Sequence, residues 1–272
     1  MATPIHRAVD IYRDDGITTL SAKTVRSLRR RATLAYWRLR GSRTFEFGDT
    51  AATFDTRGRA ARSLQIFDSG ERKMVRDLLS EVESEDVLWD IGAHIGFHSS
   101  LAGQRADRVE AFEPTPDTAG QARTHLERNG VDSTVHEYAL WDADEQLTLD
   151  HESAATSGNG SVTVPAYRGD SLVDDGFPQP NVVKIDVEGA EPRVVDGMSD
   201  TLRDERCRTV YCEVHRPAVG DTEADTRPSI EDHGSSVSAF LESIRDLGFS
   251  VQTIEDRGLD IHIKATQSER RE

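Results

Sequence analysis

Apolar residues along the chain occur in short runs that alternate between two kinds of spacing. Runs of about four to eight residues between glycine, proline or polar residues predict strands, whereas apolar positions three and four residues apart predict helices. The predicted strands are Val87–Ile91, Arg108–Phe112, Thr134–Trp141, Val182–Val187, Thr209–Val214, Ser250–Glu255 and Ile261–Ala265. The predicted helices are Ser69–Val82, with Ser69 as its cap, Phe97–Gln104, Pro116–Asn129, Pro192–Arg203 and Val237–Leu247.

This alternation of strands and helices predicts an α/β fold, a doubly wound sheet of the Rossmann-like type. The turn Asp256–Gly258 joins the last two strands as a hairpin, which predicts one antiparallel strand at the end of the sheet. Two polar segments, His151–Ser161 and Arg216–Ser236, are predicted loops. The second follows a strand on the edge where open α/β sheets bind ligands, so it is either a lid or a plain solvated loop.

The N-terminal part of the chain has a different character. Leu20–Leu39 has the spacing of a basic amphipathic helix, and the residues around Gly48 and Asp49 predict a short hairpin. Such a helix packs on protein or lies peripherally on an anionic membrane. The predicted organisation is an extension over residues 1–68, a catalytic domain over 69–266 and a disordered tail over 267–272.

Charge narrows the function classes. The net charge is −16, and only four of the 33 basic residues are lysines. An acidic, lysine-poor surface is typical of proteins that stay soluble in concentrated salt, which predicts a halophilic source. The same charge argues against nucleic acid as a partner, because phosphate backbones need a positive surface.

Cellular location follows from what the sequence lacks. Residues 1–10 have no apolar signal-peptide core, and no apolar run reaches 18 residues. The two cysteines, Cys207 and Cys212, match no metal motif and fit a reducing compartment. We therefore expect a cytoplasmic protein, with Leu20–Leu39 as the one candidate for peripheral membrane contact.

A glycine-containing loop follows the first strand of the predicted sheet. Asp90, Gly92 and Gly96 lie between that strand and the next helix, and Glu113 ends the following strand. Glycines let a backbone approach a ligand, and an acid at the end of the second strand is placed to bind ribose hydroxyls. The spacing is not the Gly-x-Gly-x-x-Gly of a dinucleotide site, which argues against a nicotinamide dehydrogenase. The loop therefore predicts an adenosine-type cofactor.

Two further strands carry charged residues at alternate positions. Lys184 and Asp186 lie on one face of their strand, as do Glu213 and His215 on theirs, where inner strands are usually apolar. We expect Lys184 to pair with Glu213, and Asp186 and His215 to lie near the open edge. A structural ion-pair network is the alternative explanation. Asp186, Glu188 and Glu213 do not form a known carboxylate cage, so no metal site is predicted.

Four stretches together resemble the FkbM family of S-adenosylmethionine (SAM)-dependent methyltransferases: Asp90–Gly96, Glu113–Pro114, Ala139–Asp142 and Lys184–Glu191. The resemblance implies a sheet of seven strands with an antiparallel seventh strand, SAM as cofactor, and O-methylation of an acceptor such as a sugar. It places Asp90, Gly92 and Gly96 on the methionine side, with His94 where the family commonly has Asn or Gly. It also implies cofactor contacts for Glu113 at the ribose and for Tyr138, Ala139 and Leu140 near the adenine.

The catalytic residues predicted for this chemistry are Asp186, His215, Glu213 and Lys184. An attacking hydroxyl must lose its proton, and either Asp186 or His215 is a candidate general base. The predicted function is therefore a SAM-dependent O-methyltransferase that acts on a sugar or glycan precursor. The alternatives are an N- or carboxyl-methyltransferase of another small molecule, and a non-catalytic SAM-binding adaptor at membranes.

Overall fold

The structure is a computed structural model that describes residues 31–57, 60, 63–64, 67, 70–150, 161–217 and 228–267. The described residues fall into two compact units. One contains the residues before 44 together with 54–65, and the other contains 44–53 together with those from 66 onward. The domain boundaries given above stay a prediction.

The strands and helices alternate as the hydrophobic pattern predicts. The strands are β1 (Ser42–Phe47), β2 (Thr50–Asp55), β3 (Val87–Ile91), β4 (Arg108–Phe112), β5 (Ser133–His136), β6 (Ala139–Leu140), β7 (Glu145–Asp150), β8 (Ser161–Tyr167), β9 (Val182–Ile185), β10 (Thr209–His215), β11 (Phe249–Asp256) and β12 (Asp260–Gln267). The helices with both ends described are α1 (Arg72–Glu81), α2 (Phe97–Ala102), α3 (Pro116–Arg128), α4 (Gly169–Asp174), α5 (Glu191–Gly197), α6 (Ser199–Arg203) and α7 (Val237–Asp246).

Seven strands form one sheet in the order β11-β12-β10-β9-β3-β4-β5. Strand β12 runs antiparallel to both of its neighbours, β10 and β11, and the other pairs are parallel. The Rossmann-like sheet with an antiparallel last strand is therefore confirmed. The expectation that this strand ends the sheet was wrong, because the largely buried β12 lies inside and the more exposed β11 forms the edge.

The sequence pattern missed a second, smaller sheet. The predicted strand Thr134–Trp141 is two strands, since β5 joins the large sheet and β6 joins a three-stranded sheet with β8 and β7. Strands β7 and β8 are short alternating runs on either side of residues 151–160, which lie outside the described residues. The predicted helix Pro192–Arg203 is likewise two helices. They separate at Gly197 and Met198, where a Cβ on Gly197 would lie 1.7 Å from the Trp141 carbonyl oxygen.

The remaining N-terminal and C-terminal predictions are only partly covered by the structure. The β1–β2 hairpin turns at Gly48 and Asp49 as predicted. Residues 31–40 are helical, with Tyr36 50% and Leu39 89% exposed, whereas 20–30 lie outside the described residues. Ser69, part of the loop at 216–236 and residues 268–272 also lie outside, and Gln267 belongs to β12. Within the described ranges, no helix is long and apolar enough to cross a membrane.

The core of the larger unit lies against the large sheet. The apolar face of α1 is buried: its four large apolar side chains, Met74, Val75, Leu78 and Leu79, are each at most 5% exposed. On β9 and β10, apolar side chains pack with Trp89 and the short helices α5 and α6. Each fully buried large side chain contributes about 1.5–3 kcal/mol to folding, so this packing holds the strands in place against the helices. Their carboxyl ends carry the polar residues that sequence analysis selected.

Candidate functional site

The loop between β3 and α2 has a backbone conformation that glycine favours. Gly92, His94 and Gly96 have φ values of 74°, 51° and 75°. The N–H groups of Gly92 and Ala93 both donate to the Phe112 carbonyl oxygen, at 2.9 and 3.0 Å. These bonds hold the loop at the carboxyl end of β4. The positive φ of His94 is unusual for a residue with a Cβ and marks a strained position in the loop.

Gly92 also lies directly against the backbone that follows β9. A Cβ on Gly92 would lie 1.9 Å from the Asp186 carbonyl oxygen, well inside van der Waals contact. The Asp186 N–H in turn donates to the Ile91 carbonyl oxygen at 3.0 Å. The glycine loop and the Lys184–Glu191 segment therefore meet at one point of the sheet edge.

Replacing Gly92 by alanine should disturb both stretches at once. We expect a loss of about 3 kcal/mol or more in the free energy of unfolding, because backbone strain adds to the overlap with Asp186. The matched control is Gly130→Ala, since Gly130 has φ 68° but nothing within 4 Å of the point where its Cβ would lie. Urea unfolding of both variants separates the overlap from the strain. Equal losses would show that the close approach at Gly92 is unimportant.

Glu113 is held in place by the loop it faces. Its Oε2 accepts a hydrogen bond from the His94 N–H at 3.1 Å, and its Oε1 accepts one from the Thr115 N–H at 2.9 Å. The side chain is 7% exposed, and burial raises the pKa of its carboxyl. A carboxylate with both oxygens oriented at the end of β4 is able to accept bonds from a pair of hydroxyls.

The Asp90 carboxylate points into the protein. It is 1% exposed, and its Oδ2 accepts hydrogen bonds from the N–H and the hydroxyl of Ser99, at 3.2 and 2.5 Å. Its Oδ1 lies 3.0 Å from Lys184 Nζ. In this conformation Asp90 ties the first turn of α2 to the sheet, and its nearest polar partners are protein groups.

Lys184 lies at the centre of this arrangement. Its Nζ donates to the Gly92 carbonyl oxygen at 3.0 Å and lies 3.0 Å from Asp90 Oδ1 and 3.5 Å from Asp186 Oδ2. Burial alone would lower the pKa of this amine, but the charges of Asp90 and Asp186 outweigh it and raise the pKa. The 1% exposed ammonium therefore neutralises two carboxylates.

The expected pairing of Lys184 with Glu213 was wrong, and strand register explains why. Asp90 on β3 lies directly opposite Lys184, whereas the residue opposite it on β10 is Tyr211. Glu213, two residues further along, lies opposite His262 of β12, with its Oε2 3.2 Å from His262 Nε2. The strand register thus places Glu213 beside His262 and away from Lys184 and its partner Asp90.

Asp186 and His215 do meet at the sheet edge, as the sequence predicts. His215 Nε2 lies 3.8 Å from Asp186 Oδ1, and His215 Nδ1 lies 2.7 Å from Glu191 Oε1. Glu191, which is fully buried in the first turn of α5, also accepts the Gly189 N–H at 2.9 Å. Sequence analysis assigned no role to Glu191. Its signal was an acid in the first helical turn two residues after Gly189, a position that helix dipoles favour for purely structural reasons.

The charges around His215 change its protonation. Burial alone would lower its pKa, but the hydrogen bond to Glu191 and the charge of Asp186 outweigh burial and raise the pKa to about 10. Burial would raise the pKa of Asp186, but Lys184 and His215 lower it. Near neutral pH the site therefore holds an ionised Asp186 beside an imidazolium, so Asp186 is the better candidate to accept a proton.

Protonation of His215 is expected to stabilise the folded protein at low pH. A histidine whose pKa is higher in the folded than in the unfolded protein stabilises fully below about pH 6.5, and this contribution disappears as pH rises to about 10. We expect the difference in unfolding free energy between the native protein and His215→Gln to shrink steadily from pH 6 to pH 10. Urea unfolding at several pH values measures it. A constant difference would mean that His215 is neutral in the folded protein.

The remaining predicted cofactor residues border an aromatic cluster beside Glu113. The ring of half-buried Tyr138 lies 4.9 Å from that of Tyr167 and 5.8 Å from that of Phe112. His136 connects this cluster to Phe177, with ring centroids 5.2 Å apart. Ala139 is half-buried and Leu140 is 3% exposed in β6. Flat apolar side chains next to a carboxylate with two oriented oxygens are suited to a heteroaromatic ring joined to a sugar.

The side chains of Asp186, Glu188 and Glu213 do not come together as a metal-ligand group among the described residues. Glu213 lies instead with Glu71 and His262. Burial and the nearby charge of Glu213 raise the pKa of Glu71 to about 7. Both cysteines are free and buried, and burial raises the pKa of Cys207 to about 12, which makes it unreactive.

Comparison with known proteins agrees with this geometry. The family model described as "Methyltransferase FkbM domain" matches residues 90–251, more than half of the chain. The hexuronic acid methyltransferase AglP of Haloferax volcanii is 37% identical over 153 residues, which cover 54% of this chain and 63% of that protein. The aligned part thus spans less than two thirds of AglP.

A solved structure supports the fold. The methyltransferase FkbM from Methylobacillus flagellatus superposes with a TM-score of 0.50 and 14% sequence identity, over 70% of this chain and 46% of that one. The glycine loop, Glu113 and the Lys184–Glu191 segment all lie inside or at the start of the matched residues. The chain belongs to the FkbM family of SAM-dependent methyltransferases.

Proposed function

We propose that the chain is a SAM-dependent O-methyltransferase whose acceptor is a sugar of the hexuronic acid class. The observation that carries the proposal is the position of Asp186, an ionised carboxylate at the carboxyl end of β9. Its backbone lies against the glycine loop, and its side chain lies between Lys184 and His215. A carboxylate so placed is able to receive a proton from a hydroxyl group.

The residues present fit the cofactor. Glu113 offers two oriented oxygens for ribose hydroxyls, and Tyr138 with its aromatic neighbours offers a flat apolar surface for adenine. The carboxylates of Asp186 and Glu113 suit a ligand that carries positive charge on sulfur. When bound, SAM supplies an already activated methyl group. The protein must therefore mainly align the acceptor, exclude water and remove a proton.

Each charged residue then has a separate task. Asp186 Oδ1 would take the proton of the acceptor hydroxyl. Lys184 holds the other oxygen, Oδ2, at 3.5 Å and keeps the carboxylate oriented between its neighbours. Glu191 fixes the His215 ring through Nδ1, and the imidazolium beside Asp186 would bind an oxygen of the acceptor.

The acceptor class rests on the relative and on charge. AglP is named for hexuronic acid, a sugar that carries both hydroxyls and a carboxylate. The protonated His215 supplies a positive group at the sheet edge that suits such a carboxylate. Two separate observations support a hexuronic acid as acceptor, the name of the relative and the protonated His215 at the site.

One observation favours a second candidate, methylation of the acceptor carboxylate to an ester. The protonated His215, with its pKa raised to about 10, suits a carboxylate of the acceptor beside Asp186, and a carboxylate acceptor needs no base. Its product can be told apart from the first, because a methyl ester is hydrolysed by mild alkali and a methyl ether is not.

The test uses the purified full chain with SAM labelled in its methyl group. We expect label transfer to a hexuronic acid glycoside and little transfer to the matching neutral hexose glycoside. Alkali-stable label supports hydroxyl methylation, and alkali-labile label supports the ester. Transfer to neither glycoside would contradict the acceptor class.

Cofactor binding is tested separately by calorimetry. We expect Glu113→Gln to weaken SAM binding by about tenfold or more, because it loses charge-assisted bonds to ribose hydroxyls. The control is Glu242→Gln, a 71% exposed side chain on α7. Unchanged affinity in Glu113→Gln would contradict the assigned ribose contact, and no binding to the native chain would contradict the cofactor.

A further inference from the structure

Three buried side chains outside the Asp186 group bring their ligand atoms together. Glu71 precedes α1, Glu213 belongs to β10 and His262 belongs to β12, and one ligand atom from each lies within 4.8 Å of the others. Their exposures are 3%, 7% and 0%. We call this set the Glu71 cluster. The proposed function gives it no task, and the three elements are far apart in the sequence.

The distances within the Glu71 cluster match those around a metal. His262 Nε2 lies 3.2 Å from Glu213 Oε2 and 3.7 Å from Glu71 Oε2. Ligands about 2.0–2.2 Å from a tetrahedral zinc ion lie roughly 3.3–3.6 Å from one another. Small side-chain adjustments therefore suffice to place all three atoms around one cation.

A second, independent observation points to a ligand. Glu71 Oε2 and His98 Nε2 are buried polar atoms without a hydrogen-bond partner within the part of the chain that the structure describes. They lie 3.7 Å apart, and each residue is 3% exposed. Leaving such atoms unsatisfied costs about 1–3 kcal/mol each, so a group that bonds both would be strongly favoured.

Arg257 supports the cluster from one side. Its Nη1 lies 2.9 Å from Glu71 Oε1 and 3.5 Å from Glu213 Oε1, so it uses the carboxylate oxygens that do not face His262. Hydrogen bonds of this kind orient metal-binding carboxylates in many proteins. Nη1 also approaches His262 Nε2 at 3.2 Å. A metal would take that lone pair and leave the guanidinium on the two Oε1 atoms.

We infer that the Glu71 cluster binds a divalent transition metal of the zinc type through Glu71, Glu213 and His262, with His98 reaching a metal-bound water. An imidazole ligand with two carboxylates suits such ions and not calcium or magnesium, which prefer oxygen alone. The metal would join the start of α1 to β10 and β12. Glu213 also lies near His215 and Asp260, but His215 is already bonded to Glu191.

The experiment is zinc binding by the full chain after removal of metal with a chelator. We expect one zinc ion per chain by elemental analysis after desalting. We also expect Tm to rise by roughly 5 °C when free zinc exceeds Kd about 100-fold. In Glu71→Gln and His262→Gln the affinity should fall at least about tenfold. The control Glu242→Gln should bind zinc as the native chain does.

Cobalt binding by the native chain is a second measurement, and it needs no variant and therefore no assumption that a variant folds. We expect visible absorption bands of four-coordinate cobalt, which histidine and carboxylate ligands produce. The inference is overturned if the native chain retains no metal and its Tm does not change. It is also overturned if Glu71→Gln and His262→Gln bind zinc as tightly as the native chain.

Discussion

Asp186→Asn is expected to lower kcat for methyl transfer to a sugar hydroxyl by about 10³-fold, within the range that a general base contributes. Asparagine keeps the shape of the side chain, so the glycine loop should stay in place against residue 186. It removes the negative charge that lies 3.5 Å from Lys184 Nζ and 3.8 Å from His215 Nε2. SAM affinity should change much less than kcat, which calorimetry and initial-rate measurements on the same preparation determine.

A matched control makes this result specific. Asp200→Asn neutralises an aspartate whose side chain is 84% exposed in α6 and should leave kcat unchanged. A native kcat in Asp186→Asn would contradict the role of Asp186 as base. Combined with alkali-labile product, it would instead favour methylation of a carboxylate.

Lys184→Met is expected to give the largest loss of stability, about 3–5 kcal/mol in the free energy of unfolding. Lys184 Nζ lies within 3.5 Å of carboxylate oxygens of both Asp90 and Asp186, whose side chains are 1% and 24% exposed. Methionine fills a similar volume but leaves the buried charge of Asp90 without that partner and removes one of the two cations beside Asp186. The cost is therefore the penalty of unpaired buried charge, and it should decrease at low pH, where the carboxylates take up protons.

Lys264→Met is the matched control on β12. Lys264 also lies between two carboxylates, 2.9 Å from Asp77 and 2.8 Å from Glu81, but Lys264 is 19% exposed where Lys184 is 2% exposed, and neither carboxylate is as buried as Asp90. Water screens such a pair, so we expect a loss of only about 1 kcal/mol. Urea unfolding of both variants measures the difference. Equal losses of unfolding free energy would mean that the burial of Lys184 and Asp90 does not increase the cost of removing the amine.

Local sequence was enough to find the residues of the site but not their partners. Glu113, Asp186 and His215 follow or end a strand, and Asp90 is the last residue but one of β3. The carboxyl ends of parallel strands meet at one edge of the sheet. Which charged side chains pair depends on the register between neighbouring strands, and no local sequence pattern contains that register. Register placed Asp90 opposite Lys184 and His262 opposite Glu213, so the expected pair of Lys184 and Glu213 did not form.

The small sheet and the Glu71 cluster were missed for a related reason. Strand β6 has only two residues, and the pairing of β7 with β8 depends on contacts that a single run of residues does not show. The three residues of the cluster have no common motif, because they come from separate parts of the chain: Glu71 from before α1, Glu213 from β10 and His262 from β12. Glu191 was overlooked because an acid in the first turn of a helix has an ordinary structural explanation.

The sequence by itself determined which seven segments form the strands of the large sheet, the doubly wound fold with its antiparallel last strand, and the family. Hydrophobic spacing and short motifs are local properties, so they can be recognised in the sequence without knowledge of the fold. The tertiary structure alone decided which charges pair and therefore how they are protonated. Whether His215 is a base or a cation depends on Glu191 and Asp186 being brought to it in a buried place, where charges interact strongly.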